Sequence, residues 1–412
     1  MPATLRLVCL LMCSLSACRP PAEPPLLERL LADGPGVVRQ VMADPARYEV
    51  QISYVQIDRD SAQVPHFTRH SFRLDSQAYF YPASTVKLPA VLLAFEKLNR
   101  LGVAGLSKYS TMLADSAADW QTLAWIDSSA ADGLPSIAHY ARKILLVSDN
   151  DAFNRLYDWV GQAEMNEGLW AKGYTGTRIL HRLSVPLTAA QNRCTHPLRF
   201  FDRGRLVLRQ DMLCNERPIP LPPPVLRGRG VATGDSIRWE PMDFSGKNAF
   251  PLAEQQAMLQ AVMFPDGRFD LGDDDYRFLY RYLSLLPRES DFPAYDRGRY
   301  YDGYAKFFLY GDRRDPIPAH LRIYNKIGAA YGYLTDNAYI VDFEVGVEFL
   351  LAATISVNEN GIYNDDQYAY ETIGLPFLAE LGWLIYRHEL ARTRDHRPDL
   401  AALQALSGPA GR

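Results

Sequence analysis

The chain carries little net charge: 44 Lys and Arg against 48 Asp and Glu leave a formal −4 over 412 residues. Nucleic-acid binding draws on a basic excess, so that class of partner has no electrostatic support here. Beyond the N-terminus no apolar run reaches ~18 residues, which excludes an internal helix that crosses a membrane. No segment repeats along the chain, so a stacked-repeat architecture is excluded as well. Cysteine is scarce, and Cys9, Cys13 and Cys18 fall near the N-terminus, leaving Cys194 and Cys214 for the body of the chain. Apolar content is plentiful at 48%, in a chain long enough to bury a large core.

Residues 1–18 have the layout of an export signal: Arg6, then an apolar stretch from Leu7 to Leu15, then small residues Ser16-Ala17 before Cys18. Leu15-Ser16-Ala17-Cys18 resembles the lipobox of bacterial lipoproteins, which implies acylation of Cys18 and anchoring to a bacterial membrane, facing the periplasm. An ordinary secretory signal is the alternative. Residues 19–25, rich in proline, read as an extended tether. In an oxidising compartment Cys194 and Cys214 are expected to form one disulfide that pins the base of the insertion, with two isolated thiols as the alternative.

Hydrophobic spacing then predicts the order of elements. A first helix is expected from Leu26 to Met42, a strand from Tyr48 to Asp58, and a second hairpin arm from His66 to Leu74. Helix is expected again after Ser84, through most of Ser107 to Arg142, and from Lys143 to Trp159. Residues 199–250 are rich in arginine and proline, with Pro218-Ile219-Pro220-Leu221-Pro222-Pro223-Pro224 at their centre, and read as an irregular insertion. Leu252 to Phe264 and Tyr276 to Leu286 return to helical spacing. The aromatic stretch from Arg288 to Ala319 is expected to pack over the core. Strands are expected at His320–Ile327, Asn337–Glu344 and Val347–Val357, followed by a helix from Tyr368 to Arg392. One domain from 26 to 398 results, with 399–412 as a loose tail.

Ser84-Thr85-Val86-Lys87 is the only Ser-x-x-Lys in the chain. A serine at a helix start sits among free N–H groups that favour developing negative charge. A lysine one turn on projects from the same face and, once desolvated, can take the serine's proton. Ser148-Asp149-Asn150 and Lys326-Ile327-Gly328 follow in that order. Here the chain resembles the penicillin-recognising serine enzymes, the class A β-lactamases and DD-peptidases, down to the first motif spacing of 148 − 84 = 64 residues. The stretch from Lys326 to Ala338 is similar to the third-motif strand and turn of the class A enzymes.

The resemblance implies an α+β fold, β-lactamase/transpeptidase-like, with a five-stranded antiparallel sheet flanked by helices plus a mainly helical subdomain. It implies Ser84 as nucleophile, Lys87 as proton acceptor and Ser148 as the group that returns a proton to the leaving nitrogen. Asn150 and Lys326 are then substrate-binding, with Gly328 and Ala329 beside them, and the N–H groups of Ser84 and Ala329 form the oxyanion hole. No metal or cofactor is needed. The partner is a small-molecule or peptide substrate, a β-lactam or a cell-wall-like amide, handled by a monomer.

Two departures bear on activity. Class A enzymes carry a glutamate on a loop after the second motif, where it activates the deacylating water. The corresponding stretch here, Ile179 to Thr188, has no acid, and none occurs between Arg178 and Phe201. His181 is the one ordinary base in that stretch. The hydroxyl residue in the middle of the third motif is replaced by Ile327, removing a hydrogen bond of about 0.5–1.5 kcal/mol. The expectation is an acyl-enzyme hydrolase with slow β-lactam turnover. The alternatives are a DD-peptidase or esterase, and a lipid-anchored binding protein that turns over nothing.

Overall fold

Five antiparallel strands form the main sheet of the computed structural model, in the order Leu321–Ala330, Tyr333–Asp342, Val347–Ser356, Gln51–Arg59, Pro65–Phe72. The structure describes residues 24–408, so residues 1–18, Cys18 and most of the tether lie outside the described residues. Strands Tyr333–Asp342 and Val347–Ser356 are buried along their whole length, because both faces of the sheet are covered. Pro65–Phe72 is the polar, largely exposed edge. Leu321–Ala330 is the other edge, and it borders the site described below. It returns into Tyr333–Asp342 through Tyr331-Gly332, both with positive φ (56° and 79°), as a two-residue hairpin turn requires.

One face of the sheet is covered by the two ends of the chain. The helix read as Leu26 to Met42 is two helices, Leu26–Ala32 and Gly36–Met42, separated at Gly34-Pro35. They bury Leu27, Leu31, Val38 and Val41 beside the long helix Leu375–Ala391. That last helix is entered through a π-helical turn, Tyr370–Gly374, inside the range read as one helix. The aromatic stretch packs inward: Phe307, Phe308, Leu309 and Tyr310 belong to the same layer.

The opposite face carries the helices. Lys87–Leu101 is buried from Lys87 to Leu98 and is surrounded by Ile137–Val147, Asn150–Val160 and Gln162–Ala171. Phe95, Phe153 and Trp159 are completely buried there, each contributing roughly 1.5–3 kcal/mol by leaving water.

Three expectations need correction. Residues 107–136 are not mostly helical; they run as turns around one short strand, Thr111–Ala114, and helix begins only at Ile137. Their aspartates bond the nearby backbone instead, with Asp127 accepting from Ser129 N (3.0 Å) and Asp132 from Leu134 N (3.0 Å). The 199–250 insertion is more regular than expected. Leu198–Asp202 and Arg205–Gln210 complete a small sheet with Thr111–Ala114, and Gly230–Thr233 pairs with Ser236–Arg238 and with Ile362–Tyr363. Within the stretch read as a loose tail, Ala401–Leu406 is helical and Leu400 is buried in the helical core. Cys194 and Cys214 are joined by a disulfide at the base of the insertion (S–S 2.04 Å).

Candidate active site

The turn that carries Ser84 is tighter than an α-helix. Ala83–Val86 is a 3₁₀ turn, and the α-helix proper begins at Lys87. Thr85 fastens the turn by donating both its N–H (3.1 Å) and its hydroxyl (2.9 Å) to the Pro82 carbonyl. Ala83 holds a left-handed φ of 48°, a strained setting for a residue with a Cβ. Ser84 remains half-exposed on this buried platform, and among the described residues its hydroxyl has no hydrogen-bond partner.

Lys87 is fully buried. Its ammonium donates to Ser148 Oγ (3.2 Å), to Asn150 Oδ1 (2.6 Å) and to the Ser148 carbonyl. Burial holds its pKa down at about 7, with Asp149 opposing the shift. The amine is therefore close to losing its proton at neutral pH, the property a base for serine needs.

Ser148 lies at the corner between two helices, in the left-handed region (φ 60°), as the C-cap of Ile137–Val147. Asp149 caps the next helix by accepting from Ala152 N (2.8 Å). The corner aims the Ser148 hydroxyl at two lysines, because Lys326 Nζ donates to the same oxygen at 2.7 Å and to the Ile327 carbonyl at 2.8 Å. Burial first, and then the neighbouring Lys87, hold the Lys326 pKa well below its ordinary value. With both lone pairs of Ser148 Oγ facing amines, its own proton is free to be passed outward.

Gly328 brings the third motif onto the first. A Cβ at this position would stand 2.3 Å from the Pro82 carbonyl oxygen and 3.2 Å from Ser84 N. The edge strand thus lies directly against the Ser84 turn, with Ala329 next along it and exposed. Ile327 points into the apolar layer that also holds Ile323 and Leu334.

Sequence reading missed Ser184. It lies on the loop after the second motif, with φ 57°, and its hydroxyl accepts from Asn150 Nδ2 at 2.8 Å. Asn150 thereby bridges Lys87 to that loop, and both ends of its amide are occupied. His181, by contrast, is tied into the structure. Its Nδ1 faces the Arg182 carbonyl (2.6 Å), and Nε2 accepts from Asn248 N at 3.3 Å. Its ring stacks on Tyr81 (centroids 6.5 Å apart), and burial lowers its pKa to about 4. It is a neutral wedge between the loop and the insertion.

A buried polar network behind the third motif also went unread. Lys306 donates at 2.7 Å to the carbonyls of Leu283 and Ile323 and to Asn325 Oδ1. Asp336 accepts from Asn325 Nδ2 (2.8 Å) and from the N–H groups of Phe307 (3.0 Å) and Phe308 (3.1 Å). Its members come from distant segments, so no local motif could have signalled them.

Residues 38–204 match the model of the Beta-lactamase enzyme family. The match spans less than half of the chain; it includes Ser84, Lys87, Ser148 and Asn150 and ends before Lys326. Comparison with curated protein sequences gives no match. Among solved structures, the chain is similar to a β-lactamase from Sphaerobacter thermophilus at 14% identity and TM-score 0.47, covering 89% of this chain and 98% of that one. It is similar to a β-lactamase from Burkholderia ambifaria at 14% identity and TM-score 0.48, covering 86% and 99%. It is likewise similar to a β-lactamase from Xanthomonas campestris pv. campestris at 17% identity and TM-score 0.47, covering 87% and 96%.

Proposed function

We propose that this chain is an exported serine hydrolase of the class A β-lactamase type, lipid-anchored through Cys18, which forms an acyl-enzyme at Ser84 and turns over β-lactams slowly. The observation that carries the reading is the Ser148 hydroxyl held between Lys87 (3.2 Å) and Lys326 (2.7 Å), beside the Ser84 turn.

Ser84 Oγ attacks the carbonyl carbon of a β-lactam or related amide or ester. Its proton passes to neutral Lys87, a transfer favoured by an amine whose pKa is about 7. The N–H groups of Ser84 and Ala329 receive the negative charge on the carbonyl oxygen. Ser148 hands a proton to the departing nitrogen and is refilled from Lys87, while Lys326 attracts a substrate carboxylate. The ester at Ser84 then awaits water.

That second half is where this site is poor. The loop offers Asn150 a serine hydroxyl and no carboxylate, and both nitrogens of His181 are engaged. A positioned base is worth about 10²–10⁴-fold in such a step, or roughly 3–5 kcal/mol of barrier. A cell-wall DD-peptidase is the second reading, favoured by the same absence of an acid on the loop.

An active-site-directed fluorescent penicillin tests the proposal. It should label the wild type at Ser84, leave Ser84→Ala unlabelled, and persist for minutes or longer. Labelling of Ser84→Ala would overturn the assignment, and rapid loss of label would overturn slow turnover. Fractionation of cells that express the full chain and Cys18→Ala tests the anchor, since only the variant should leave the membrane.

A further inference from the structure

The inserted segment brings a cation against Tyr331, at the turn that ends the edge strand beside Ser84. Phe244, fully buried, stands between Tyr81 (6.1 Å between centroids) and Tyr331 (5.6 Å). Tyr81 is three residues before Ser84, and Tyr331 is two residues past Ala329, in the turn that ends the edge strand. Three residues after Phe244, the Lys247 ammonium lies over the Tyr331 ring, 5.7 Å from its centroid. The neighbouring Asn248 locks this position to the catalytic loop. Its Oδ1 accepts from Leu180 N (2.7 Å) and His181 N (3.1 Å), and its carbonyl accepts from the Tyr79 hydroxyl (3.0 Å).

Lys247 has no ion pair or hydrogen bond from its ammonium among the described residues, and neither has the Arg193 guanidinium. Both border one cleft of about 280 Å³, walled by Leu180, Val185 and Leu221 and lined by no acidic residue. Two unmatched cations beside an apolar wall are the complement of an apolar group that ends in an anion. Lys326 supplies a cation from the middle of the edge strand, two residues before Gly328, which abuts the Ser84 turn, and five before Tyr331, a span of roughly 16 Å at ~3.3 Å per residue. Along the strand, Gly328 and the Ser84 turn against it thus lie between Lys326 and Tyr331, the ring that Lys247 covers.

We propose that Lys247, backed by Arg193, is a second carboxylate subsite, so that the preferred substrate carries one negative charge on each side of the scissile carbonyl. The proposal rests on the acyl-enzyme reading above and names the substrate class for it. Lys247 contacts the acyl side chain and not the reacting atoms, so its charge governs which substrate is captured and not the chemistry at Ser84.

The test compares the second-order rate of Ser84 acylation by benzylpenicillin and by carboxybenzylpenicillin, which differ by one carboxylate on the side chain, in wild type and Lys247→Glu. The wild type should favour carboxybenzylpenicillin by on the order of fivefold, the upper end for a partly exposed ion pair. Lys247→Glu should reverse the preference, read as the ratio of the two rates, while its melting temperature stays close to wild type. Raising salt from about 50 to 500 mM should shrink the wild-type preference. Equal rates in the wild type, or a preference that survives Lys247→Glu, would overturn the subsite and leave the acyl-enzyme reading standing. Failure of both penicillins to acylate Ser84 would overturn the two together.

Discussion

Lys87 and Lys326, from opposite layers of the fold, place their amines 3.2 and 2.7 Å from one oxygen, the Ser148 hydroxyl. Two buried ammonium groups so close repel one another, because burial weakens the screening that bulk solvent gives. Lys87 lowers the proton affinity of Lys326, and the shared hydroxyl gives them a common route for a proton. Ser148→Ala removes that route and leaves Lys87 its bonds to Asn150 Oδ1 and the Ser148 carbonyl. Acylation by a chromogenic cephalosporin should fall by about 10²–10⁴-fold, the usual worth of a positioned proton-transfer group. Stopped-flow acylation measures it, and a rate within threefold of wild type would take Ser148 out of the proton path.

The pH dependence follows from Lys87. Only its neutral form can accept the Ser84 proton, so acylation should rise with pH through a midpoint of about 7. The variant Lys87→Arg, which stays charged, should lose that limb and nearly all activity. Stability has the same sign. Between about 7 and the ordinary 10.5 the unfolded chain binds a proton at this lysine that the folded chain has released, so stability rises with pH across that window. It is lost again as pH falls through the folded value. A flat rate from pH 6 to 9 would mean that another group is the base.

Gly328 is where the third motif meets the first. A methyl at this position would meet the Pro82 carbonyl at 2.3 Å, a backbone atom that cannot swing aside. Gly328→Ala should therefore cost about 1–3 kcal/mol of stability, as overpacking does, and push the edge strand off the Ser84 turn. Chemical denaturation and penicillin labelling read the two effects separately. Full labelling in a fully stable variant would show that this contact is slack.

Much of this arrangement was legible because it is local. The strands from Val347 to Ser356 and from Gln51 to Arg59 announce themselves by apolar β-branched and aromatic runs, and each short motif is read within four residues. Ser148 was legible as a member of a motif, yet its left-handed corner between two helices was not. The turns at 107–136 were misread because alanine suggests helix, whereas Asp127 and Asp132 satisfy backbone N–H groups that a helix would have used. Ser184 reaches Asn150 only once the loop is folded back, a contact no periodicity encodes. The same holds for Lys306, Asn325 and Asp336, whose burial is satisfied by groups from four separate segments.

His181 separates two explanations of any residual turnover. It packs on Tyr81 and gives both ring nitrogens to the protein, so it serves structure and not deacylation. His181→Ala should leave the decay of a penicillin adduct within about threefold per remaining folded molecule. Stability should drop by about 1–3 kcal/mol, because Asn248 N and the Arg182 carbonyl lose their partner. Adduct lifetime measured by mass spectrometry decides it, and a tenfold longer lifetime would make His181 the base.

Ser184 is the position at which turnover should be recoverable. Its hydroxyl is 2.8 Å from Asn150, whose other end is 2.6 Å from Lys87, so a side chain here reaches the chain of groups that ends at Lys87. The residue is exposed and on a loop, so a longer side chain can extend toward solvent-filled space instead of into the core. A glutamate at 184 would bring a carboxylate to the side of the cleft from which water must attack. A positioned base contributes about 10²–10⁴-fold at best, and one placed on an unrefined loop should give the lower part of that range. Ser184→Glu should therefore shorten the lifetime of the acyl-enzyme by at least about tenfold while leaving the acylation rate near that of wild type. Ser184→Gln, of the same length without the charge, should not. Decay of the Ser84 adduct, followed after a single turnover of a chromogenic cephalosporin, distinguishes these outcomes. Equal lifetimes in all three proteins would mean that the loop does not present position 184 to the ester, and that slow deacylation has a cause other than the missing carboxylate.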